Sequence, residues 1–284
     1  MTDSASPGHR VRPRQPRRSG DDSVPQAPGP RLTAAIVIPV KDDARLLERC
    51  LFALRSQTVA ADEIIVVDNN SSDDSAEVAA AFGARVIPCA QPGIPAAAAT
   101  GYDAAQADLI LRLDADCIPP ATWVEEVFAA FRTQPEISAF TGNARFIDGP
   151  VGCRRWAAGL YLGAYATLTS PALGHRPLFG SNLAMRRDAW TAVRAHVHYD
   201  DSELHDDLDL AYHLGREHRL GTLLGEPMGI SMRPFSDLRS FRRRVRRGFR
   251  TVVIHWPDDF PPRRWRHLRS RAEGRILTTT GGSA

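Results

Sequence analysis

The amino-acid sequence predicts an α/β protein with a mostly parallel central sheet flanked by helices on both faces. Between residues 34 and 113, short apolar runs alternate with segments in which apolar residues recur at helical spacing. Short continuous apolar runs are typical of strands buried on both faces, and strands that alternate with helices form βαβ units. The length of 284 residues and the 43% hydrophobic content allow a sizeable buried core.

Each element follows from its local pattern. Strands are predicted at residues 34–40, 63–68, 85–87 and 109–113. Helices are predicted from apolar spacing over residues 46–54, from an Ala-rich segment over 95–106, and over 122–132. The segment Asn69-Asn70-Ser71-Ser72 supplies turn and helix-capping side chains directly after the second strand.

The two ends of the chain differ from this central pattern. Residues 1–30 are rich in Pro, Gly and Arg and lack apolar periodicity, so they are predicted to be a disordered tail without a secretory signal. Residues 31–232 are predicted to form the α/β domain. Residues 233–284 carry 14 arginines against four acidic residues and are predicted to be an Arg-rich, partly helical extension.

Composition narrows the function classes. The four cysteines include no Cys-x-x-Cys pair, which argues against a disulfide scaffold or zinc ribbon and favours the cytoplasm. The nine histidines show no compact ligand spacing, although His196 and His198 could share one side of a strand. The uncharged stretch 156–174 has the length of a membrane span, but its Gly, Ala, Ser and Thr content favours a buried or membrane-facing helix.

Acidic residues follow the second and fourth predicted strands. Ligands of parallel α/β sheets bind beyond the carboxyl ends of the strands, where Asp68 and Asp114 lie. Residues two apart in a strand point to one side, so Asp114 and Asp116 could hold a divalent cation on a diphosphate. A solvated turn is the alternative for Asp114-x-Asp116, and simple helix capping is the alternative for Asp68.

A third acidic group, Asp206-Asp207-Leu208-Asp209, opens a predicted helix. Acids in a first helical turn are favoured by the helix dipole, which is the simpler interpretation. Crowding by neighbouring carboxylates should also raise the pKa of such a group, and a raised pKa would suit a general base.

These motifs together resemble family 2 glycosyltransferases. The segments Ile36 through Asp42, Glu63 through Ser72, Leu113 through Asp116, Phe179 through Asn182 and Asp206 through Leu210 occur in the order and spacing of that family. The resemblance covers about residues 33–225 and implies a GT-A (Rossmann-like) fold of the soluble, non-processive type.

The resemblance also implies roles for individual residues. It places Pro39, Asp42 and Asp68 on the nucleotide, with Asp68 reading the base, and places Asp114 and Asp116 on a divalent cation, Mn²⁺ or Mg²⁺. Asp207 matches the catalytic aspartate, although the family's Glu-Asp pair is Asp206-Asp207 here. Gly180, Ser181 and Asn182 match the segment that lines the acceptor side, within the nucleotide-sugar site. His255 is a weaker candidate for a third metal ligand.

The implied activity is transfer of a sugar, with inversion, from a UDP- or GDP-sugar to a carbohydrate or lipid-linked acceptor hydroxyl. A catalytically silent relative that binds or scaffolds at the membrane surface is the alternative. The Arg-rich segment could touch anionic lipid, which would place a cytoplasmic protein at the inner face of the membrane. Nucleic-acid binding is not expected, because no recognition motif accompanies the arginines. The donor sugar, the base, the acceptor identity, the oligomeric state and the role of the Arg-rich segment are not specified by the sequence.

Overall fold

The structure is a computed structural model that describes residues 31–149, 152, 154–233 and 238–280. The predicted tail over residues 1–30 lies outside the described residues. The strands are β1 (Ala34–Val40), β2 (Glu63–Asp68), β3 (Arg85–Pro88), β4 (Leu109–Arg112), β5 (Ala139–Thr141), β6 (Ala144–Phe146), β7 (Leu183–Arg186), β8 (Leu220–Thr222) and β9 (Met228–Ile230). The helices are α1 (Ala44–Arg55), α2 (Ser75–Ala81), α3 (Ile94–Ala104), α4 (Trp123–Thr133), α5 (Arg154–Leu173), α6 (Arg187–Val193), α7 (Asp206–Glu217), α8 (Leu238–Ile254) and α9 (Pro261–Thr280).

Seven strands form the central sheet in the order β3-β2-β1-β4-β7-β5-β8. The pairs β1–β2, β1–β4, β2–β3 and β5–β8 are parallel, whereas β7 is antiparallel to both β4 and β5. Strands β6 and β9 form a separate parallel pair. The predicted mostly parallel sheet is confirmed.

Helices cover both faces of this sheet, as predicted. One core places Leu51 of α1 and Trp123 of α4 against Ile36 and Ile38 of β1. The opposite core packs α3, α6 and α7 against the other side, with Val37 of β1 in it. Because alternate residues of β1 enter opposite cores, both faces of the strand are apolar, which is the reason for its continuous hydrophobic run.

The start of helix α2 differs from the sequence pattern. The turn at Asn69-Asn70-Ser71-Ser72 does form, but α2 begins only at Ser75, after Asp74 at the N-cap position. Asn70 has a φ of 59°, a left-handed conformation that Asn tolerates better than most residues. The turn therefore extends the loop beyond the strand end rather than starting the helix at once.

Helix α5 contains the uncharged stretch considered as a membrane span. Its side chains Trp156, Leu160 and Leu168 are exposed, whereas Ala158 and Leu173 are buried. None of the helices in the described part of the chain combines the length and the hydropathy of a membrane span.

The C-terminal helices α8 and α9 pack on the α/β layer through buried polar side chains. Thr251 of α8 is fully buried and accepts a hydrogen bond from the His205 backbone N–H at 2.8 Å. Arg264 of α9 is also buried and donates to the backbone oxygens of Leu173 and Tyr212. The Arg-rich segment of the sequence therefore contributes directly to the packed molecule.

Candidate active site

The carboxyl ends of β1, β2 and β4 open into a cavity of about 400 Å³. Its floor includes Pro39 of β1, Asn69 after β2, and Asp114 and Asp116 after β4. Three arginines also line it, namely Arg233, Arg244 and Arg247. The cavity is thus lined by both acidic and basic side chains.

A second cavity of about 250 Å³ adjoins the first. Gly180 and the N-terminal residues of α7, Asp206 and Asp207, line it. Both cavities are lined by Asp114 and Ser181, so these two residues lie where the cavities meet. The structure therefore brings Asp114, Asp116 and Asp207 around one continuous space.

Arg112 connects the acidic groups of the two cavities. Its guanidinium lies 3.0 Å from the Asp114 carboxylate and 2.7 Å from the Asp206 carboxylate, and only 3% of the side chain is exposed. The other carboxylate oxygen of Asp114 accepts a hydrogen bond from the Ser181 hydroxyl. Burying an arginine is unfavourable unless it is paired, and here two carboxylates offset its charge.

Asp207 is held in place on both carboxylate oxygens. One oxygen accepts the Gly180 backbone N–H at 2.9 Å, and the other lies 2.5 Å from His205 Nδ1 without hydrogen-bond geometry. The Tyr165 hydroxyl donates to that second oxygen at 3.4 Å. Burial and the neighbouring charge of Asp207 raise the pKa of Tyr165, so it remains a donor.

The raised pKa predicted for this acidic group does not fall on Asp207. Burial alone would raise the pKa of Asp207, but the charge of His205, with Arg112 and the Gly180 N–H, holds it well below the usual range. The raised pKa belongs to Asp206, where burial exceeds the opposing effect of Arg112 and the charge of Asp207 adds to it. For the pKa of Asp207, the nearby charge of His205 therefore outweighs the effect of the neighbouring acids.

Asp116 is in a different electrostatic position. Burial, followed by the charge of Asp114, raises the pKa of Asp116 to about 6. Arg233 lies 3.3 Å from its carboxylate and also pairs with Asp43. Asp114, Asp116 and Cys117 offer ligand atoms within 4.8 Å of one another. The Asp114-x-Asp116 pair follows β4 in a turn rather than lying within the strand, yet its carboxylates still converge.

Asp42 and Asp68 stabilise the loops at the edge of the sheet. The Asp68 carboxylate accepts the Ser71 backbone N–H at 3.1 Å, which closes the turn after β2 and does not cap helix α2, whose first residue is Ser75. The Asp42 carboxylate accepts the backbone N–H and hydroxyl of Ser72, and these two hydrogen bonds lower its pKa. Neither residue lines the two cavities, whereas their chain neighbours Asp43 and Asn69 line the larger one.

Two of the expected site residues lie elsewhere in the structure. Asn182 is buried and accepts the Trp123 indole N–H at 2.9 Å, so it supports the core instead of lining a cavity. His255 lies in a separate cluster with His198, Asp209 and His213, not with Asp114 and Asp116. The prediction that His255 completes the metal site of the Asp114-x-Asp116 pair is wrong, because His255 packs against Asp209 and His213 of α7.

The sequence patterns did not identify several side chains of the site, including Arg112, Tyr165, His205 and Arg233. Only Arg112 has a clear sequence signal, since it interrupts the apolar strand Leu109-Ile110-Leu111-Arg112-Leu113. A charged side chain in a central strand requires a buried partner, and such pairs occur often at functional sites. The others approach the site only through the tertiary fold.

The fold is similar to that of glucosyl-3-phosphoglycerate synthase from Mycobacterium tuberculosis. Its complex with Mn²⁺, uridine diphosphate and glucosyl-3-phosphoglycerate has a TM-score of 0.56 at 21% identity, covering 78% of this chain and 79% of that chain. The complex with Mn²⁺, UDP-glucose and phosphoglyceric acid has a TM-score of 0.52 at 20% identity, covering 78% and 80%. These similarities establish the fold, and with it the GT-A class of α/β proteins.

Sequence comparison then identifies the family. Residues 35–190, more than half of the chain, match the profile of glycosyl transferase family 2. The chain belongs to this family and is a glycosyltransferase. A comparison with curated proteins found no match.

Proposed function

We propose that the protein transfers a sugar from a nucleoside-diphosphate donor to an acceptor hydroxyl, with inversion at the anomeric carbon. The observation that carries this proposal is the pair of joined cavities, which meet at Asp114 and Ser181. One cavity contains the strand ends and Asp116, and the other contains Asp207. A donor in the first would present its sugar to an acceptor in the second.

The larger cavity suits the nucleotide. Pro39 and Asn69 lie at the strand ends, where nucleotides bind in α/β folds, and Arg244 and Arg247 face them with positive charge. Arginine binds phosphate oxygens through two parallel hydrogen bonds. Asp68 and Asp42 would act indirectly, by stabilising the loops that line this cavity, with Asp68 near the nucleobase.

The acidic pair fits a divalent cation, Mn²⁺ or Mg²⁺. Both oxygens of Asp114 already have protein partners, so Asp116 is the better ligand, with Asp114 beside it. Hard cations bind through one or two carboxylates together with substrate phosphates. When bound, the cation would offset the negative charge of the departing diphosphate. The Mycobacterium tuberculosis synthase complexes contain Mn²⁺ with a uridine nucleotide, which agrees with this assignment.

Asp207 is the proposed catalytic base. Its low pKa keeps the carboxylate ionised at neutral pH, and the Gly180 N–H fixes its orientation. The acceptor hydroxyl would donate to Asp207 and attack the anomeric carbon from the side opposite the diphosphate. A weak base takes up the proton late in the reaction. His205 would therefore assist by stabilising the ionised carboxylate of Asp207 until the bond between the acceptor oxygen and the anomeric carbon has formed.

The second cavity favours an acceptor with anionic groups. Arg243, Arg244 and Arg247 of α8 line it opposite Asp206 and Asp207. Carboxylates bind protons and hydroxyls, whereas the arginines would bind a phosphate or carboxylate on the same acceptor. A phosphorylated sugar or a lipid-linked phosphate meets both requirements.

Contact with anionic membrane is a second part of the proposal. Phe241, Val245 and Phe249 follow one side of α8 and are 43%, 56% and 71% exposed. Exposed Arg242 and Arg246 flank them. A helix with an apolar stripe beside arginines can lie at the surface of an anionic bilayer. This contact would hold the acceptor cavity close to a lipid-linked substrate at the inner face of the membrane.

Vesicle sedimentation tests the membrane contact. The full chain should sediment with phosphatidylglycerol vesicles and less with phosphatidylcholine vesicles, and Phe249→Glu should abolish sedimentation. Phe52→Glu is the matched control, because Phe52 is a 67% exposed phenylalanine on α1. Equal loss in both variants, or no sedimentation of the wild type, would contradict the proposal.

Donor binding and turnover test the reaction. Thermal unfolding is measured with UDP, GDP and other nucleoside diphosphates, with and without Mn²⁺, and the best binder selects donor sugars for turnover. One nucleotide should raise the unfolding temperature by a few degrees only with Mn²⁺, and Asp116→Asn should remove that increase. Asp188→Asn, on an exposed acid of α6, should keep it.

The anomeric configuration of the product, read by NMR, then tests inversion. An α-linked donor should give a β-linked product. Retention would contradict a single displacement. Nucleotide binding without any sugar release across the donor and acceptor panel would instead favour a silent binding protein.

A further inference from the structure

Three histidines that are far apart in the sequence converge on one carboxylate outside the joined cavities. His198 lies in the loop after α6, Asp209 and His213 lie on α7, and His255 follows α8. Each residue offers a ligand atom, and these atoms all lie within 4.8 Å of one another. The arrangement joins three segments of the chain at one point behind the proposed catalytic aspartate.

Four distances between these atoms lie around the edge length of a tetrahedral zinc site. Asp209 Oδ1 lies 2.8 Å from His198 Nδ1, 3.7 Å from His213 Nε2 and 3.3 Å from His255 Nε2. The Nε2 atoms of His213 and His255 are 3.4 Å apart. Four ligands at about 2.05 Å from a zinc ion would be separated by about 3.3 Å.

The hydrogen bonds of the surrounding atoms leave ligand atoms directed at one point. His255 Nδ1 lies 2.7 Å from the Thr251 backbone oxygen, which can only accept, so Nδ1 carries the proton and a neutral ring has a bare Nε2. That nitrogen faces the Asp209 carboxylate and the His213 ring. A cation between them would neutralise this concentration of lone pairs.

Contacts around these four residues fix the orientation of the ligand atoms. The other Asp209 oxygen accepts the His198 backbone N–H at 2.9 Å. The Tyr212 ring stacks on His255 with 4.0 Å between centroids and an interplanar angle of 11°. Backbone hydrogen bonds and stacking of this kind hold zinc ligands in place. The Asp209 and His255 side chains are 2% and 4% exposed, whereas His198 is 35% exposed and provides a path for entry.

We propose that His198, Asp209, His213 and His255 form a structural zinc site, separate from the cation site of the donor diphosphate. Three imidazoles and one carboxylate complete four-coordinate zinc, which leaves no open position for substrate. On binding, the proton of His198 Nδ1 leaves to solvent and the freed nitrogen becomes a ligand. The zinc ion would fix the loop after α6 and the end of α8 on α7, and thereby position Asp207 and the α8 arginines.

Metal content of the full chain, purified without a histidine tag, tests this site. After growth with zinc and dialysis, mass spectrometry should find about one zinc per chain. His213→Ala and His255→Ala should retain less than roughly a fifth of that amount. His196→Ala is the matched control, because His196 is exposed and stacks on the His213 ring without belonging to the ligand set. Asp116→Asn should also retain zinc, which separates this site from the donor site.

A cobalt experiment on the wild type does not depend on the folding of variants. Zinc is removed with a chelator, and Co²⁺ is added. We expect the intense visible absorption of tetrahedral Co²⁺, and we expect one equivalent of zinc to abolish it. Zinc, but not Mg²⁺, should restore the unfolding temperature. The proposal would be overturned by a zinc-free wild type whose spectrum does not respond to Co²⁺ and whose unfolding temperature does not respond to zinc. Zinc lost in Asp116→Asn and kept in His255→Ala would overturn it as well.

Discussion

Arg112 is the side chain on which both cavities depend. It connects Asp114 at the end of β4 with Asp206 at the start of α7, and it is almost completely buried. Neither carboxylate would be stable at its place without this shared cation, since each would be a partly buried negative charge beside others. The arginine therefore sets the distance between the donor and acceptor sides.

Gly180 allows that arginine to approach. A Cβ atom at residue 180 would lie 1.8 Å from Arg112 Nη1, an impossible contact. Gly180→Ala should therefore displace the guanidinium, destabilise the protein by about 1–3 kcal/mol and weaken donor binding, as measured by urea unfolding and nucleotide titration. Gly163→Ala is the control, because a Cβ there meets nothing within 4 Å and the helix should tolerate alanine. Equal stability of the two variants would contradict the steric role of Gly180.

The choice of base between Asp206 and Asp207 is tested by two substitutions. Asp207→Asn should lower turnover per folded molecule by roughly 10²–10⁴-fold, and it should also lower the unfolding temperature, because it removes the charge next to His205. Asp206→Asn should lower the unfolding temperature as well, because it leaves Arg112 with one fewer carboxylate, but it should not remove the base. Turnover per folded molecule and thermal unfolding are measured for both. Unchanged turnover in Asp207→Asn would remove this residue from the role of base.

At the scale of elements, sequence patterns predicted the first half of the fold well. Strands β1, β2 and β4 are apolar because both faces are buried, and local composition reports that directly. Strands β5, β6, β8 and β9 have three residues each, too few for a period to appear. Their pairing depends on contacts between distant segments, which a single sequence does not encode visibly.

The site, like the fold, was predicted from the sequence only in part. Asp114, Asp116 and Asp207 follow strand ends or open a helix, positions that topology alone brings to one edge. The position of His255 was not predictable in this way, because His255 follows α8 and meets Asp209 and His213 of α7 only in the folded chain. Asp209 and His213 do show a local signal, since residues four apart share one face of a helix, but His198 and His255 join them only through the fold.

Arg264 is a buried arginine of helix α9 that contacts the rest of the molecule. Arg264 Nη2 donates to the Tyr212 backbone oxygen at 2.9 Å and lies 3.1 Å from His175 Nε2, and Nη1 lies 3.1 Å from Asp259. Arg264→Ala should cost about 2–4 kcal/mol of unfolding free energy, because it removes the donor of two buried backbone oxygens, those of Leu173 and Tyr212, and one of the two arginines paired with Asp259. Arg266→Ala, on an exposed residue of the same helix, should change it by less than about 0.5 kcal/mol. Comparable losses in both variants would mean that helix propensity, not the buried contact, holds α9.

At the scale of the whole molecule, this junction makes stability depend on pH. His175 Nδ1 donates to the Arg176 backbone oxygen at 2.8 Å, and its Nε2 accepts from Arg264, so the folded protein requires a neutral ring. Burial, with a smaller contribution from the Arg264 charge, lowers the pKa of His175 to about 4. The unfolded chain takes up this proton below about pH 6.5, but the folded chain does so only near pH 4.

The stability contributed by the neutral His175 ring is therefore complete above pH 6.5 and is lost as the pH falls toward 4. A shift from 6.5 to about 4 corresponds to a loss of up to about 3 kcal/mol. Urea unfolding at pH 7 and pH 5 measures the part of this loss that falls above pH 5, about 2 kcal/mol. His175→Gln is the comparison, because glutamine cannot take up a proton. Other titrating groups, such as His198, His205 and His213, are present in both proteins and cancel in the difference. The wild type should lose more stability than the variant between these two pH values, and parallel losses would show that Arg264 packs equally well against a charged ring.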